Sequence, residues 1–341
     1  MAGKDQHYDP RFLLKGFRSK GEGKKVFVWH FTKSSSPREV STRDIGHANL
    51  FYGMPGEGSL DDRITTKETT EYAVVVERIR KNLRIQSSDR TALAEFVYFQ
   101  GARTRAAREL YHEVLVSSLK DAHQEFSKPD TIKEMMSEVA RPDNKDLRER
   151  FRRKLKEMGM KLSYKKEMLL FHKTLREQRE AVIEKEAPKQ ALIADVTFSA
   201  ALKNSDKLIE QAHNQALDAW IKTQSKNPGS GLKRYFEMNW DVQSLPENSL
   251  IFGDAAVLYR EKDALQLSAG TGPASLVLLP LSHNLLLVGS ADADAQRPPV
   301  EDINRASAEL SLYFFVSRSY SEREEEYRNL IGKRAPSVEK E

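Results

Sequence analysis

The most distinctive hydrophobic pattern of the chain runs from Asp89 to Leu119, where apolar side chains recur at the spacing of one helix face. The apolar positions are Leu93, Phe96, Val97, Ala107, Tyr111, Val114 and Leu115. At about 100° per residue, Gln100 and Thr104 fall within this face and Arg103 falls at its edge. The pattern therefore predicts a long helix with inward polar side chains. Because burying such groups without partners costs about 1–3 kcal/mol or more, we expect other segments to supply acceptors.

Strand-like and helical patterns occur in separate blocks of the chain. Lys24 to Phe31 alternates like a strand, helical periodicity dominates residues 69–225, and a Pro- and Gly-rich break follows at residues 226–231. The later predicted elements are strands at Arg234 to Val242, Leu250 to Tyr259, Leu276 to Leu281, Leu285 to Gly289 and Tyr313 to Ser317, and a helix from Val300 to about Leu312.

One isolated strand cannot form a sheet, so we expect the N-terminal strand to pair with the later strands. The sequence thus predicts a single α+β domain over residues 1–320. Its small, largely antiparallel sheet would pack on a large helical insertion at about residues 69–225. Residues 321–341 are highly charged and are expected to form a flexible tail.

Composition narrows the class of protein. The hydrophobic fraction of 39% is enough for a sizeable core. The longest apolar runs are far shorter than the roughly 20 residues that cross a bilayer, and the opening residues lack the apolar segment of a secretory signal. We therefore expect a cytoplasmic protein without a membrane span. The absence of cysteine excludes disulfides, thiolate metal sites and cysteine nucleophiles.

The positive charge is concentrated in one helical segment. Residues 141–185 contain 15 Lys and Arg against 8 Asp and Glu, a local charge of +7, whereas the whole chain carries +5 and the remainder therefore −2. A positive helix face attracts phosphate backbones or acidic proteins, so nucleic acid and an acidic protein are the partners that this segment suggests. A solvated surface is the simpler interpretation, because Glu149 and Glu157 supply intrahelical partners.

The opening sequence His-Tyr-Asp-Pro-Arg-Phe-Leu-Leu-Lys-Gly-Phe, residues 7–17, precedes the first predicted strand. It resembles the start of a bacterial family known as domain of unknown function 4238, whose members open with His-Tyr-x-Pro-x-Phe-x-Leu-x-x-Phe. Further similarity lies at Gln100-x-x-Arg103-Thr104, at Phe252 to Val257, at Pro280-Leu281-Ser282 and at Asn304. The resemblance implies a shared fold and a set of positions, but no chemistry.

The chain also departs from the family pattern. Gly253 and Ala256 stand where the pattern has Ser and Pro beside the aspartate, and His283 stands where it tends to have a second Pro. Because Asp254 is retained, a role for its carboxylate as acceptor or ligand survives, whereas a role for the neighbouring hydroxyl does not.

The candidate site residues are His7, Gln100, Arg103, Asp254 and Asn304. A carboxylate against a guanidinium satisfies both groups, and an imidazole exchanges protons near neutral pH, which together favour a hydrolytic site. The same side chains would equally form a satisfied core network that pins the N-terminal segment to the sheet. His7, Asp254 and His283 would offer three metal ligands if they converged, but their spacing does not demonstrate it, and no cofactor is indicated.

Two functions remain open from the sequence. The first is a hydrolase, such as a nuclease acting on nucleic acid in stress or defence, with His7 as acid or base, Asp254 as base or ligand, and Arg103 holding phosphate. The second is a non-catalytic binding or scaffold protein that docks a partner through its basic helical segment.

Overall fold

The structure is a computed structural model that describes residues 4–23, 25–223, 230–262, 264–267, 274–292 and 295–336. The chain divides into two compact units, one formed by Met1–Glu113 with Ile209–Glu341 and the other by Val114–Leu208. The sequence led us to expect one domain with a helical insertion at about residues 69–225. The compact helical unit is shorter than that, because the helices on either side of it contribute to the core of the first unit.

The first unit contains all the strands of the described residues. They are β1 Asp5–His7, β2 Lys20–Glu22, β3 Lys25–Thr32, β4 Arg38–Ser41, β5 His47–Asn49, β6 Asn239–Ser244, β7 Phe252–Gly253, β8 Leu258–Glu261, β9 Ala264–Gln266, β10 Leu276–Ser282, β11 Leu285–Ser290 and β12 Phe314–Ser317. One sheet has the order β2-β3-β12-β7 with β4 on β3, and another has the order β6-β11-β10-β8-β9. Strands β1 and β5 form a separate pair.

All of these strand pairs are antiparallel. Of the later strands expected to join β3 in one sheet, β12 and β7 do so, whereas β6, β8, β10 and β11 belong to the other sheet. Every residue of β10 and β11 is buried. Their uninterrupted Leu and Val runs are therefore explained by burial of both sheet faces. The predicted α+β class, with antiparallel sheets and a large helical part, is confirmed.

The helices are α1 Arg11–Leu14, α2 Leu60–Lys67, α3 Ala73–Asn82, α4 Arg90–Arg103, α5 Arg105–Phe126, α6 Pro129–Val139, α7 Lys145–Glu157, α8 Tyr164–Lys203, α9 Ser205–Thr223, α10 Ser230–Glu237, α11 Val300–Leu310 and α12 Glu322–Arg328. Short 3-10 turns cover Lys15–Phe17 and Ser87–Asp89, and the π-helical segment Glu68–Tyr72 joins α2 to α3. Across the described part of the chain, we find no helix whose length and hydropathy would let it span a membrane.

The predicted long helix is two helices that meet at Thr104. The ψ of Thr104 is 157°, which ends α4, and its hydroxyl accepts a hydrogen bond from the amide of Ala107 at 3.1 Å, which caps the start of α5. The inward orientation of the polar residues is confirmed, since Gln100 and Arg103 are 0% exposed and Thr104 is 1% exposed. The apolar pattern extends beyond the core, because Tyr111, Val114 and Leu115 are exposed.

The C-terminal third differs from the predicted elements in three places. Residues 234–237 belong to α10, and the predicted strand at 250–259 is two short strands separated by a turn in which Ala256 has a φ of 56°. In the segment expected to be a flexible tail, α12 forms and the side chains of Tyr327 and Ile331 are buried in a cluster with Phe31 and Phe315. Residues 224–229 and 337–341 lie outside the described residues.

Candidate functional site

The N-terminal segment is fixed against a second piece of backbone by β1 and β5. His7 lies opposite His47 in this pair, and the amides of Tyr8 and Asp9 both donate to the carbonyl of Gly46, at 2.9 and 3.1 Å. Gly46 has a φ of +66°, and a Cβ there would lie 2.7 Å from the Cβ of Asp9. A glycine is therefore required for both backbone conformation and space.

Helix α4 holds the same segment from the other side. Gln100 Nε2 donates to the carbonyl of Tyr8 at 3.3 Å. Arg103 donates to two successive carbonyls, from Nε to Tyr8 at 3.0 Å and from Nη2 to His7 at 3.3 Å. The structure thus brings Gln100 and Arg103 together with His7, as the sequence suggests, but they contact the backbone and not the imidazole.

The buried guanidinium of Arg103 is neutralised by Glu68. Arg103 Nη1 lies 2.6 Å from Glu68 Oε1. Burial raises the pKa of Glu68, and the charge of Arg103 opposes that rise. Glu68 is the first residue of the π-helical segment, a backbone form that is frequent at functional sites. Sequence reasoning missed this partner, because Glu68 falls in a polar run, ETTEY, that carries no sign of burial.

Asp9 is a second buried carboxyl that sequence reasoning missed. Its side chain is completely buried, and neither carboxyl oxygen has a hydrogen-bond partner among the described residues. Burial raises the pKa of Asp9 well above its usual value, nearby Asp254 raises it further, and Arg103 lowers it. Unsatisfied buried polar groups are rare and call for an explanation. The only signal available in the sequence is the position of Asp9 within the opening block.

His7 and His47 form a pair of imidazoles at the edge of this network. Their ring centroids are 5.2 Å apart, with an angle of 62° between the ring planes. Both side chains are partly exposed, whereas both Nδ1 atoms are buried and have no hydrogen-bond partner in the described part of the chain. Burial, followed by the charges of His47, Arg11 and Arg103, lowers the pKa of His7 to about 4. His7 is therefore neutral at pH 7 and able to accept a proton.

Both carboxylate oxygens of Asp254 accept hydrogen bonds from main-chain amides. Its Oδ1 accepts from the amide of Leu312 at 2.7 Å, and its Oδ2 accepts from the amides of Tyr313 at 2.7 Å and Phe314 at 3.2 Å. Burial raises the pKa of Asp254 to about 6, and these three hydrogen bonds oppose that rise. The carboxylate holds the turn between α11 and β12, where the amides would otherwise be unpaired.

Asn304 also bridges backbone groups. Its Oδ1 accepts from the amide of Ile251 at 3.1 Å, and its Nδ2 donates to the carbonyl of Ser249 at 2.7 Å. The amide therefore joins α11 to the segment before β7. The structure gives Asn304 no hydrogen bond to His7, Gln100 or Arg103 within the described residues.

His283 does not join His7 and Asp254 in a ligand set. Its Nδ1 accepts from the amide of Asn248 at 3.3 Å, and its Nε2 lies 2.7 Å from Arg318 Nη1. Among the described residues, no cluster of three or more His, Asp or Glu could hold a metal ion.

The basic segment lies in the helical unit. Arg152 Nε lies 2.6 Å from Glu167 Oε1, so this cation is already paired within the unit. Arg153 and Lys156 are exposed on α7. The segment therefore contains both internally paired and solvent-facing cations.

The fold and the site together define an α+β protein in which a buried polar network fixes the N-terminal segment, and which carries a separate helical unit. The chain belongs to the family described as protein of unknown function DUF4238, whose model matches residues 5–310. No curated protein and no solved structure matches the chain.

Proposed function

We propose that the protein is a bacterial, cytoplasmic hydrolase that acts on nucleic acid in stress or defence, with His7 and His47 as its acid–base pair. The observation that carries the proposal is the 5.2 Å approach of two partly exposed imidazoles whose Nδ1 atoms have no hydrogen-bond partner within the described chain. Cleavage of a phosphodiester requires one group to take a proton from the nucleophile and another to give one to the leaving oxygen. Two neighbouring histidines can serve as this proton acceptor and this proton donor.

The lowered pKa of His7 keeps its imidazole in the unprotonated form in which a base acts, although a pKa of about 4 also makes it a weak base. At pH 7 this imidazole is neutral, since its pKa is about 4. His47 lies on the facing strand, with its Nδ1 4.0 Å from an Asp5 carboxylate oxygen. Arg11, whose charge reaches His7, is only partly buried and is our candidate for the phosphate contact.

The remaining predicted site residues act as positioning residues in this proposal. The sequence suggests Arg103 for the phosphate contact, but Arg103 is fully buried, paired with Glu68, and bound to the carbonyls of His7 and Tyr8. Gln100 supports the same carbonyl of Tyr8. Asp254 and Asn304 hold backbone segments, and the charge of Asp254 acts on the buried carboxyl of Asp9.

The test is cleavage of fluorescently labelled single- and double-stranded RNA and DNA by the purified protein, with and without added Mg²⁺ or Mn²⁺. We expect His7→Gln and His47→Gln each to reduce the rate by about 100-fold or more, the usual contribution of a general acid or base. His172→Gln is the matched control, because His172 is an exposed histidine on α8. Circular dichroism establishes that each variant is folded.

Wild-type protein without activity on any of these substrates, or histidine variants as active as His172→Gln, would refute the proposal. A protein without hydrolytic activity would leave the non-catalytic binding function as the better interpretation of the family's fold.

A further inference from the structure

The helical unit contains a groove that its own side chains do not fill. Helices α6, α7 and α8 line an open groove of about 800 Å³, formed mainly by aliphatic, Met and Phe side chains. Phe171 and Ile183 form its buried floor, whereas Met135, Val139 and Val182 remain exposed at its sides. Every residue of α6 is at least partly exposed although the helix is amphipathic, so the apolar face of α6 is incompletely covered within this unit.

The charged side chains that line the groove are all positive. Arg150, Lys154 and Arg179 line it, and no Asp or Glu is among the described lining residues. Arg179 Nη2 donates to the carbonyl of Ser137 at 2.9 Å, which anchors the guanidinium between α6 and α8. Arg179 Nε is buried and has no hydrogen-bond acceptor within the described structure. Arg179 as a whole is partly exposed, but its buried Nε lacks an acceptor among the described residues, and an anion beside the guanidinium would supply one.

We propose that this groove binds an anionic amphiphile with a single long hydrocarbon chain, of the fatty-acid class. The hydrocarbon would occupy the Met- and Phe-lined part of the groove, and the carboxylate would lie against Arg179, with Arg150 and Lys154 adding positive charge. A cavity of about 800 Å³ falls within the usual range of about 300–1,000 Å³ for small-molecule sites. Methionine side chains adapt readily to flexible apolar ligands. This site is independent of the proposed hydrolytic centre.

Of the exposed cations of α7, Arg150 and Lys154 line the groove, whereas Arg153 and Lys156 do not. The groove therefore uses part of the basic surface of α7.

The test is isothermal titration calorimetry of the full chain with palmitoleate, a C16 fatty acid, below its micelle-forming concentration. The corresponding alcohol and vesicles of an anionic phospholipid serve as separate arms. We expect saturable binding of palmitoleate at one site per chain. Val182→Asp, which places a negative charge in the lining at a position that is 48% exposed, should weaken binding at least tenfold. Leu192→Asp is the matched control, since Leu192 is 64% exposed on the same helix and does not line the groove.

A second variant tests the contact between the carboxylate head group and Arg179. Arg179→Gln should weaken palmitoleate about tenfold and leave binding of the alcohol unchanged, whereas Arg176→Gln, an exposed position on α8 outside the lining, should change neither. Absence of palmitoleate binding, equal weakening by Val182→Asp and Leu192→Asp, equal loss of acid and alcohol in Arg179→Gln, or binding to vesicles alone would each overturn the proposal.

Discussion

Replacement of Arg103 by Met tests the buried network most severely. Methionine roughly keeps the length and apolar character of the side chain but removes the guanidinium. Glu68 then loses the cation 2.6 Å from its carboxylate, and the carbonyls of His7 and Tyr8 lose their donors. The N-terminal segment would keep its hydrogen bonds to Gly46 but lose most of its attachment to α4.

The expected destabilisation follows from these lost contacts. Removing one partner of a buried ion pair costs about 3–5 kcal/mol, because the remaining charge is left uncompensated. In the double variant Arg103→Met with Glu68→Gln that charge is gone, and the loss should fall to about 1–3 kcal/mol, the cost of the unpaired carbonyls. The single variant Glu68→Gln completes the double-mutant cycle, which isolates the ion pair.

The same variant predicts a pH dependence. Burial already raises the pKa of Glu68 above 4.5, and Arg103 opposes the rise, so removing Arg103 raises the pKa further. A carboxyl whose pKa is raised in the folded state favours folding below its unfolded pKa and loses that contribution as the pH rises through the folded value. The loss of unfolding free energy in Arg103→Met should therefore be larger at pH 8 than at pH 5.

Urea unfolding followed by tryptophan fluorescence is the appropriate assay, because Trp29, Trp220 and Trp240 all belong to the first unit. A loss below about 1 kcal/mol at pH 8, or the same loss at pH 5 and pH 8, would show that Arg103 and Glu68 do not form the buried pair on which this reasoning depends.

Two further predictions concern the supporting contacts. Burial raises the pKa of Asp254 from 3.8 to about 6, so its contribution lowers the stability by about 2 kcal/mol as the pH rises from 4 to 6. Asp254→Asn should flatten that part of the urea-derived stability profile, and an unchanged slope would contradict the assignment. Gly46→Ala should cost about 2–4 kcal/mol, because it combines a left-handed φ with overlap on Asp9, whereas Gly58→Ala, with a φ of +69° and no atom within 4 Å, should cost about 1 kcal/mol. Equal costs would show that Asp9 does not crowd Gly46.

The sequence predicts those parts of the fold that depend on regular hydrophobic spacing. The α+β class, β3, β10, β11 and the inward orientation of Gln100 and Arg103 all follow from periodicity and composition. The break at Thr104 is not predicted, because apolar spacing continues across it and the cap is a local backbone event. Likewise, the pattern predicts a strand from Arg234, although residues 234–237 belong to α10, because a short apolar run fits either structure.

The site was only partly predictable, because hydrophobic spacing shows which side chains point inward but not which groups they meet. The pattern identifies Arg103 as inward but cannot identify its partner, because Glu68 reaches it from a π-helical segment 35 positions earlier in the chain. Asp254 and Asn304 were selected as reactive residues, yet their contacts are with main-chain groups, which no side-chain pattern in the sequence reveals. The sequence does not point to His47, because its segment carries no strand pattern and it meets His7 only through the pairing of β1 with β5.

The central claim is that the buried network holds a neutral, proton-accepting His7 against His47. The most direct measurement is an NMR titration of the histidine rings between pH 3 and pH 8, with His7 assigned by comparison with His7→Gln. The account predicts that His7 titrates near pH 4, because burial and the neighbouring cations disfavour its charged form. A His7 resonance that titrates at the ordinary value of 6.5 would contradict it.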